Sequence, residues 1–244
     1  MFGIKGRKIS IHRLVQYVIR DDLDLESQRL LFAQSIQLAL SAFPATVEGI
    51  NHHTCQRYCS QVTAILANVP PDSNWFDAHT DYTFGWQALV DRLASYLFHD
   101  GYYSGSLKFD IECLEIKKRV LGREHHDTLR SMNNVATTYY RLGQWTEALK
   151  VFQECLEIRK RVLGMEHPNT LQSINGLAAT YNSLGRCTEA VTVYEECLEI
   201  RKRELGAEHP DTLGSMNNMA ATYYRLGQWT EALKVFEECL EIRK

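Results

Sequence analysis

Apolar residues recur every three to four positions through the second half of the chain. This spacing predicts an amphipathic helix, helix A, whose buried face includes Leu129, Met132 and Val135. Gly143 ends this helix, and a second apolar face beginning at Trp145 predicts a longer helix B. The pattern therefore predicts a unit of two helices joined by a tight turn. The expected N-cap residue of helix A is Asp127 or Thr128.

The same pair of helices recurs with a period of 42 residues. Residues 124–160 and 208–244 form 37 aligned pairs, of which only five differ. Residues 166–202 follow the same pattern with more substitutions, and an eroded copy precedes them. A fixed period of this length is typical of stacked helical repeats, in which each unit buries its apolar face against its neighbours. The chain is therefore predicted to be an all-α solenoid of antiparallel helix pairs.

The first eighty residues follow a different pattern. Residues 8–20 predict a short strand that leads into a helix, and two amphipathic helices follow near 26–42 and 52–68. We interpret the two helices as a linker packed on the first repeat. The expected division of the chain is a short element at 1–22, a helical linker at 23–80, and repeats at 81–244, split into 81–122, 123–164, 165–206 and 207–244.

Charge and composition exclude several classes of function. The chain has 27 basic and 30 acidic side chains, so it lacks the positive field that holds nucleic acid or an anionic membrane surface. No apolar run approaches the roughly 18 residues of a spanning helix, and the first residues do not resemble a secretory signal. The seven cysteines are an odd number in a chain too long to need disulfides. We therefore predict a cytoplasmic protein without nucleic-acid or membrane partners.

Candidate chemistry is sparse. No phosphate-binding loop and no nucleophile motif occurs, so we predict neither an enzymatic activity nor a cofactor. His52, Cys55 and Cys59 share a helical face, but zinc needs a fourth ligand, and buried thiols are the favoured interpretation. The 42-residue spacing also keeps the repeated cysteines too far apart for disulfides and the repeated histidines too far apart for one metal ion. We expect these cysteines to pack between helices and the histidines to hold loops by hydrogen bonds.

The repeats resemble the tetratricopeptide repeat, in the 42-residue form found in kinesin light chains. The Glu-His-Pro-Asp-Thr-Leu loop and the Glu-Ile-Arg-Lys-Arg end of helix B carry this resemblance over about residues 82–244. The run Ile-His-Arg-Leu-Val-Gln at 11–16 resembles the winged-helix element that closes the nucleotide-binding module of NB-ARC-type (STAND, NLR-like) signalling ATPases. The resemblances imply a right-handed α-solenoid with a winged-helix remnant at 1–22.

One polar ladder is not required by core packing. Asn133, Asn175 and Asn217 recur on helix A, on the face that lines the concave groove in tetratricopeptide arrays, where asparagines hold the backbone of a bound peptide. A carboxamide can do so because it both donates and accepts hydrogen bonds. In the alternative interpretation the asparagines bond within or between repeats. The other groove candidates are Arg130, Thr137, Tyr140, Arg141, Tyr224 and Arg225.

These observations predict a non-catalytic protein–protein interaction module that binds a peptide or protein in its concave groove. The arginines favour an acidic ligand. By resemblance, the chain is the sensor or scaffold region of an NB-ARC-type signalling protein; the alternatives are a cargo adaptor like kinesin light chain and a structural spacer without a groove ligand. The last helix B leaves Val235, Phe236 and Leu240 without a following repeat, so we also expect end-to-end self-association or disorder there.

Overall fold

The structure is a computed structural model that describes residues 2–4, 7–9, 25–45, 50–67 and 81–242. A short hairpin stands at the start, where β1 (Phe2–Ile4) and β2 (Arg7–Ile9) pair antiparallel. The helix predicted to follow this strand, and the rest of the expected winged-helix remnant, lie outside the described residues. Every other described element is a helix, and none of these helices combines the length and apolarity needed to cross a membrane.

The chain divides into two compact units, residues 1–122 and 123–244. The helices of the first unit are α1 (Leu25–Ala42), α2 (Ile50–Ala67), α3 (Asp81–His99) and α4 (Tyr103–Val120). Helices α1 and α2 both pack on α3, and α4 forms a pair with α3. Ile36, Val62 and Leu89 belong to the shared core of this unit.

The second unit contains three helix pairs, as the 42-residue period predicts. Its helices are α5 (His126–Arg141), α6 (Trp145–Val162), α7 (Pro168–Ser183), α8 (Cys187–Glu204), α9 (Pro210–Arg225) and α10 (Trp229–Ile242). Each helix packs on the next along the chain. The helices of the A type, α5, α7 and α9, also contact one another in sequence order, and therefore form one side of the unit.

The turn from helix A to helix B depends on glycine. Gly143 has a φ of +73°, in the left-handed region that side chains with a Cβ atom rarely adopt. The Gly143 N–H donates to the Tyr140 carbonyl, and the Gln144 N–H donates to the Tyr139 carbonyl, each at 3.0 Å. These two bonds close a Schellman motif and satisfy carbonyls that the end of a helix leaves unpaired.

The predicted N-cap of helix A was wrong. His125, rather than Asp127 or Thr128, caps α5: its Nδ1 accepts a hydrogen bond from the Asp127 N–H at 3.1 Å. His167 and His209 cap α7 and α9 in the same way, at the same distance. The imidazole nitrogen thus takes the part usually played by a carboxylate or hydroxyl oxygen, and each repeated histidine serves its own loop.

Candidate functional site

The three helices of the A type border a pocket of about 380 Å³ in the second unit. Its floor and walls come from α5, α7, α9 and one residue of α6. The lining residues are Asn133, Thr137, Tyr140, Arg141, Phe152, Gln172, Asn175, Gly176, Ala179 and Asn218.

Five of the nine predicted groove residues line this pocket, namely Asn133, Thr137, Tyr140, Arg141 and Asn175.

The other four predicted residues lie elsewhere. Arg130 is exposed, and its Nη2 lies 3.3 Å from Asp127 Oδ1 on the same helix. Asn217 Oδ1 accepts a hydrogen bond from Cys239 Sγ at 3.5 Å. Tyr224 and Arg225 are exposed at the end of α9. Their part in ligand binding stays a prediction.

The sequence analysis missed the other five lining residues. Phe152 is a buried residue of the apolar face of helix B, and it also lines the pocket. The 42-residue period indicates a second of these lining residues. Gly176 occupies the position at which the flanking copies have Asn134 and Asn218. A position where the middle copy loses its side chain is where a cavity is expected to form.

The oxygens of the asparagine ladder are used inside the unit. Asn133 is only 6% exposed, and its Oδ1 accepts hydrogen bonds from Ser173 Oγ at 3.1 Å and Arg159 Nη1 at 3.4 Å. Asn175 Oδ1 similarly accepts one from Ser215 Oγ at 3.5 Å. The alternative of hydrogen bonds between repeats is therefore observed for these oxygens.

The nitrogen of Asn133 is not used in this way. The guanidinium of Arg159 can only donate, so the carboxamide oxygen must face it and the nitrogen must point elsewhere. No described residue accepts a hydrogen bond from Asn133 Nδ2. Because Asn133 lines the pocket, its donor remains available to a ligand.

A buried arginine joins α6 to α7, and another joins α8 to α9. Arg159 of α6 donates through Nη1 to Ser173 Oγ at 2.7 Å and to the Asn169 carbonyl, and through Nη2 to the Leu129 carbonyl at 3.1 Å. Arg201 of α8 repeats the arrangement with Asp211 and Ser215 of α9. Burial lowers the pKa of Arg159, and none of its hydrogen-bond partners among the described residues is a carboxylate. Neutral acceptors therefore stabilise this buried cation.

The first unit uses a different pair at the same register positions. Asp91 and Lys117 lie 42 residues before Asn133 and Arg159. Lys117 is only 2% exposed, and its Nζ lies 2.9 and 3.1 Å from the two carboxylate oxygens of Asp91. A carboxylate–ammonium pair thus replaces the amide–guanidinium pair of the later repeat. The sequence analysis missed both pairs, although the period would have aligned them.

The cysteine ladder consists of packing residues. Cys155 and Cys197 are buried, and each thiol donates to a carbonyl of the helix A in its own pair, at 3.4 and 3.7 Å. Burial raises the pKa of both thiols. In the first unit, burial and the nearby Asp91 carboxylate raise the pKa of Cys113 to about 12. All seven cysteines are free, and these three are neutral thiols near neutral pH.

The candidate zinc ligands His52, Cys55 and Cys59 make other contacts. His52 Nε2 lies 2.8 Å from Asp100 Oδ1 and joins α2 to the end of α3. Cys55 is buried, and Cys59 is half-buried. Within the part of the chain that the structure describes, no three potential ligands are grouped to hold a metal ion.

Comparison with known families decides the assignment. The model of the tetratricopeptide repeat matches residues 86–161, 127–203 and 169–244, which together span more than half of the chain. The chain belongs to the tetratricopeptide repeat family. The all-α fold of repeated helix pairs that the sequence predicts is thereby confirmed. No curated protein sequence matches this tetratricopeptide repeat protein.

Solved structures support the same fold. A variant of a Podosopora anserina protein described as a "putative kinesin light chain" with nearly identical TPR-like repeats has a TM-score of 0.65 at 24% identity, covering 90% of this chain and 94% of that chain. YrrB, a TPR protein with an unusual peptide-binding site, has a TM-score of 0.54 at 12% identity, covering 96% and 92%. A signal transduction ATPase with numerous domains (STAND) from Pyrococcus horikoshii, with a tetratricopeptide repeat sensor, has a TM-score of 0.53 at 17% identity, covering 95% of this chain and 38% of that protein. At these identities the likeness shows the fold.

Tetratricopeptide repeats generally mediate protein–protein interactions, and the fold is typically non-catalytic. No catalytic family is indicated for this tetratricopeptide repeat protein.

Proposed function

We propose that the chain is a non-catalytic protein-binding module whose second unit binds an extended segment of a partner protein across α5, α7 and α9. The observation that carries this proposal is the concentration of carboxamides in one pocket, on Asn133, Gln172, Asn175 and Asn218. Carboxamides both donate and accept hydrogen bonds, so they match the peptide backbone whatever the side chains of the ligand. Among these carboxamides, the Nδ2 donor of Asn133 is the best-defined group that is available to a ligand.

The charge of the pocket favours an acidic ligand. Arg141 is the one charged residue among those that line it, and none of them carries a carboxylate. A ligand with Asp or Glu beside Arg141 therefore meets a complementary charge. Because Arg141 is exposed, this attraction should weaken as the salt concentration rises.

The proposed setting is the cytoplasmic sensor or scaffold region of an NB-ARC-type signalling protein. The Ile-His-Arg-Leu-Val-Gln run at 11–16 and the fold shared with the sensor-bearing STAND protein support this setting. A cargo adaptor is the alternative that the kinesin light chain likeness favours. The structural spacer is favoured by the internal hydrogen bonds of Asn133 and Asn175, which account for the ladder without a ligand.

The variant Asn133→Asp distinguishes a peptide-binding groove from a structural spacer without a groove ligand. The carboxylate can still accept hydrogen bonds from Ser173 and Arg159, so the contact between repeats is kept, whereas the donor is lost and a negative charge enters the pocket. The chain already tolerates a carboxylate at this register position in Asp91. Asn133→Ala is less informative, because it would remove the internal hydrogen bonds as well.

The experiment selects peptides from a displayed library of random 12-residue sequences on the intact chain and measures their affinities by fluorescence anisotropy. We expect Asn133→Asp to bind the selected peptides at least about tenfold more weakly, the equivalent of about 1.4 kcal/mol, with an unchanged or higher urea midpoint. Asn134→Asp is the matched control, since it makes the same charge change on an exposed neighbour that does not line the pocket. Equal binding by Asn133→Asp and the wild type, or no selected peptide, would favour the spacer.

A further inference from the structure

A relay of hydrogen bonds fixes the orientation of the first asparagine of the ladder. Arg159 Nη1 donates to Ser173 Oγ at 2.7 Å, and Ser173 Oγ donates to Asn133 Oδ1 at 3.1 Å. Because a guanidinium only donates, the serine keeps its own proton for the carboxamide oxygen. The oxygen of Asn133 is therefore turned toward the interior of the unit, and its nitrogen is turned toward the pocket that Asn133 lines.

The next repeat contains the same relay. Arg201 Nη1 donates to Ser215 Oγ at 2.6 Å, and Ser215 Oγ donates to Asn175 Oδ1 at 3.5 Å. In α9, Asn217 also accepts through Oδ1, from Cys239 Sγ at 3.5 Å. All three ladder oxygens are thus used inside the unit, whereas no described residue accepts a hydrogen bond from any of the three Nδ2 groups. The asparagine ladder therefore offers a ligand hydrogen-bond donors.

These donors recur at the spacing of packed helices. Helices α5, α7 and α9 contact one another in sequence order, and the axes of packed helices lie about 8–10 Å apart. One turn of a polyproline II helix contains three residues and rises about 9 Å. Such a ligand therefore presents an equivalent carbonyl to each helix. In a β-strand, residues three apart point to opposite faces, so the same contact cannot recur at each helix.

We propose that the groove binds a proline-rich segment of a partner protein in the polyproline II conformation, with successive turns lying over α5 and α7. This inference rests on the proposed function and narrows its ligand. A proline-rich backbone suits the ladder because its carbonyls accept hydrogen bonds, whereas proline has no N–H group that needs an acceptor. Other sequences would bring N–H groups to ladder oxygens that are already used.

The other lining residues fit the same ligand. Tyr140 and Phe152 line the pocket, and polyproline II segments typically dock on aromatic side chains. Ser183 Oγ donates to the Tyr140 hydroxyl at 3.2 Å, so the phenol keeps its proton as a further donor. Gly176 and Ala179 have no bulky side chain, and the pocket of about 380 Å³ has room for a pyrrolidine ring.

The probes are two fluorescently labelled 12-residue peptides, one of four Pro-Pro-Glu repeats and one of four Ala-Ala-Glu repeats. The two peptides have the same charge at the same spacing. Anisotropy is measured as the intact chain is added. We expect the proline peptide to bind at least about tenfold more tightly, because it has few N–H groups to satisfy and already adopts the bound conformation.

Variants of the chain test whether the ladder makes the contact. Asn133→Asp and Asn175→Asp each remove one donor and keep an oxygen for the serine, so each should weaken binding of the proline peptide at least about tenfold. Asn134→Asp is the matched control, since it makes the same charge change on an exposed neighbour that does not line the pocket, and binding should be retained. Circular dichroism must show that each variant keeps the wild-type helix content.

Two results would overturn this inference and leave the proposed function intact. One is equal affinity for the two peptides, with both weakened by Asn133→Asp, because the groove would then bind a peptide backbone without preferring polyproline II. The other is no binding of either peptide by a chain that binds library-selected peptides and loses them in Asn133→Asp.

Two further results would also count against it. Tighter binding of the proline peptide that neither Asn133→Asp nor Asn175→Asp weakens would overturn the inference, because the peptide would then bind outside the asparagine ladder. If neither these peptides nor any library peptide binds, the inference and the proposed function fail together.

Discussion

The variant Arg159→Lys tests whether the buried arginine and Asn133 are energetically coupled. Arg159 donates to acceptors on three sides, including the Leu129 carbonyl of α5 and Ser173 of α7. A lysine has a single nitrogen and cannot reach both helices with the geometry of a guanidinium. In the first unit, Lys117 is satisfied at the same register position because Asp91 supplies a carboxylate.

The magnitude follows from the hydrogen bonds lost. Lysine should lose about two of the four bonds that Arg159 makes, and a hydrogen bond to a charged group contributes about 1.5–3 kcal/mol. Taking the lower end of that range for each of the two lost bonds, because lysine keeps the charge, we expect Arg159→Lys to lower the free energy of unfolding by about 3 kcal/mol. That corresponds to a melting temperature lower by about 5–10 °C.

Adding Asn133→Asp should restore most of the loss. The double variant recreates the Asp91–Lys117 pair, so we expect a coupling free energy of about 1–2 kcal/mol between the two sites. Urea unfolding followed by circular dichroism at 222 nm, on the wild type, both single variants and the double variant, measures this coupling. Additive effects of the two substitutions on the free energy of unfolding would refute the reasoning. So would an Arg159→Lys single variant that is as stable as the wild type.

Two further predictions concern buried titratable groups. Cys59 is half-buried whereas the other six cysteines are buried, so Ellman's reagent at about pH 8 should label one thiol rapidly, and Cys59→Ser should abolish that phase; several fast thiols would contradict the packing. The pKa of Cys113 is raised from 9.0 and that of Tyr96 from 10.0, both to about 12, mainly by burial. Because the folded-state pKa values exceed the unfolded ones, the stabilisation is complete below about pH 9 and is lost as the pH rises toward 12. The urea midpoint of the first unit should fall over this range, and less steeply in Cys113→Ala; a flat profile would contradict the assigned burial.

The candidate groove was only partly predictable from the sequence. Periodicity placed Asn133 and Asn175 on one face of helix A, because the helical repeat and the 42-residue period together fix the direction of a side chain. It could not show that Ser173 and Arg159 take the carboxamide oxygen of Asn133, since these residues come from different helices. Nor could it show that the absence of a side chain at Gly176 brings Phe152 into the pocket.

The sequence by itself determined the helices, their pairing, the glycine turns and the repeat family, because these depend on local spacing and on a period that each copy repeats. The first unit shows the limit of this information: Asp91 and Lys117 look like ordinary surface charges in the sequence, yet Lys117 is almost fully buried. Only the tertiary structure decided which polar atoms satisfy one another and which carboxamide nitrogen stays available. Those outcomes depend on distances between residues some 26 to 40 positions apart, as with Asn133 and its partners Arg159 and Ser173. Packing fixes such distances, whereas spacing along one helix does not.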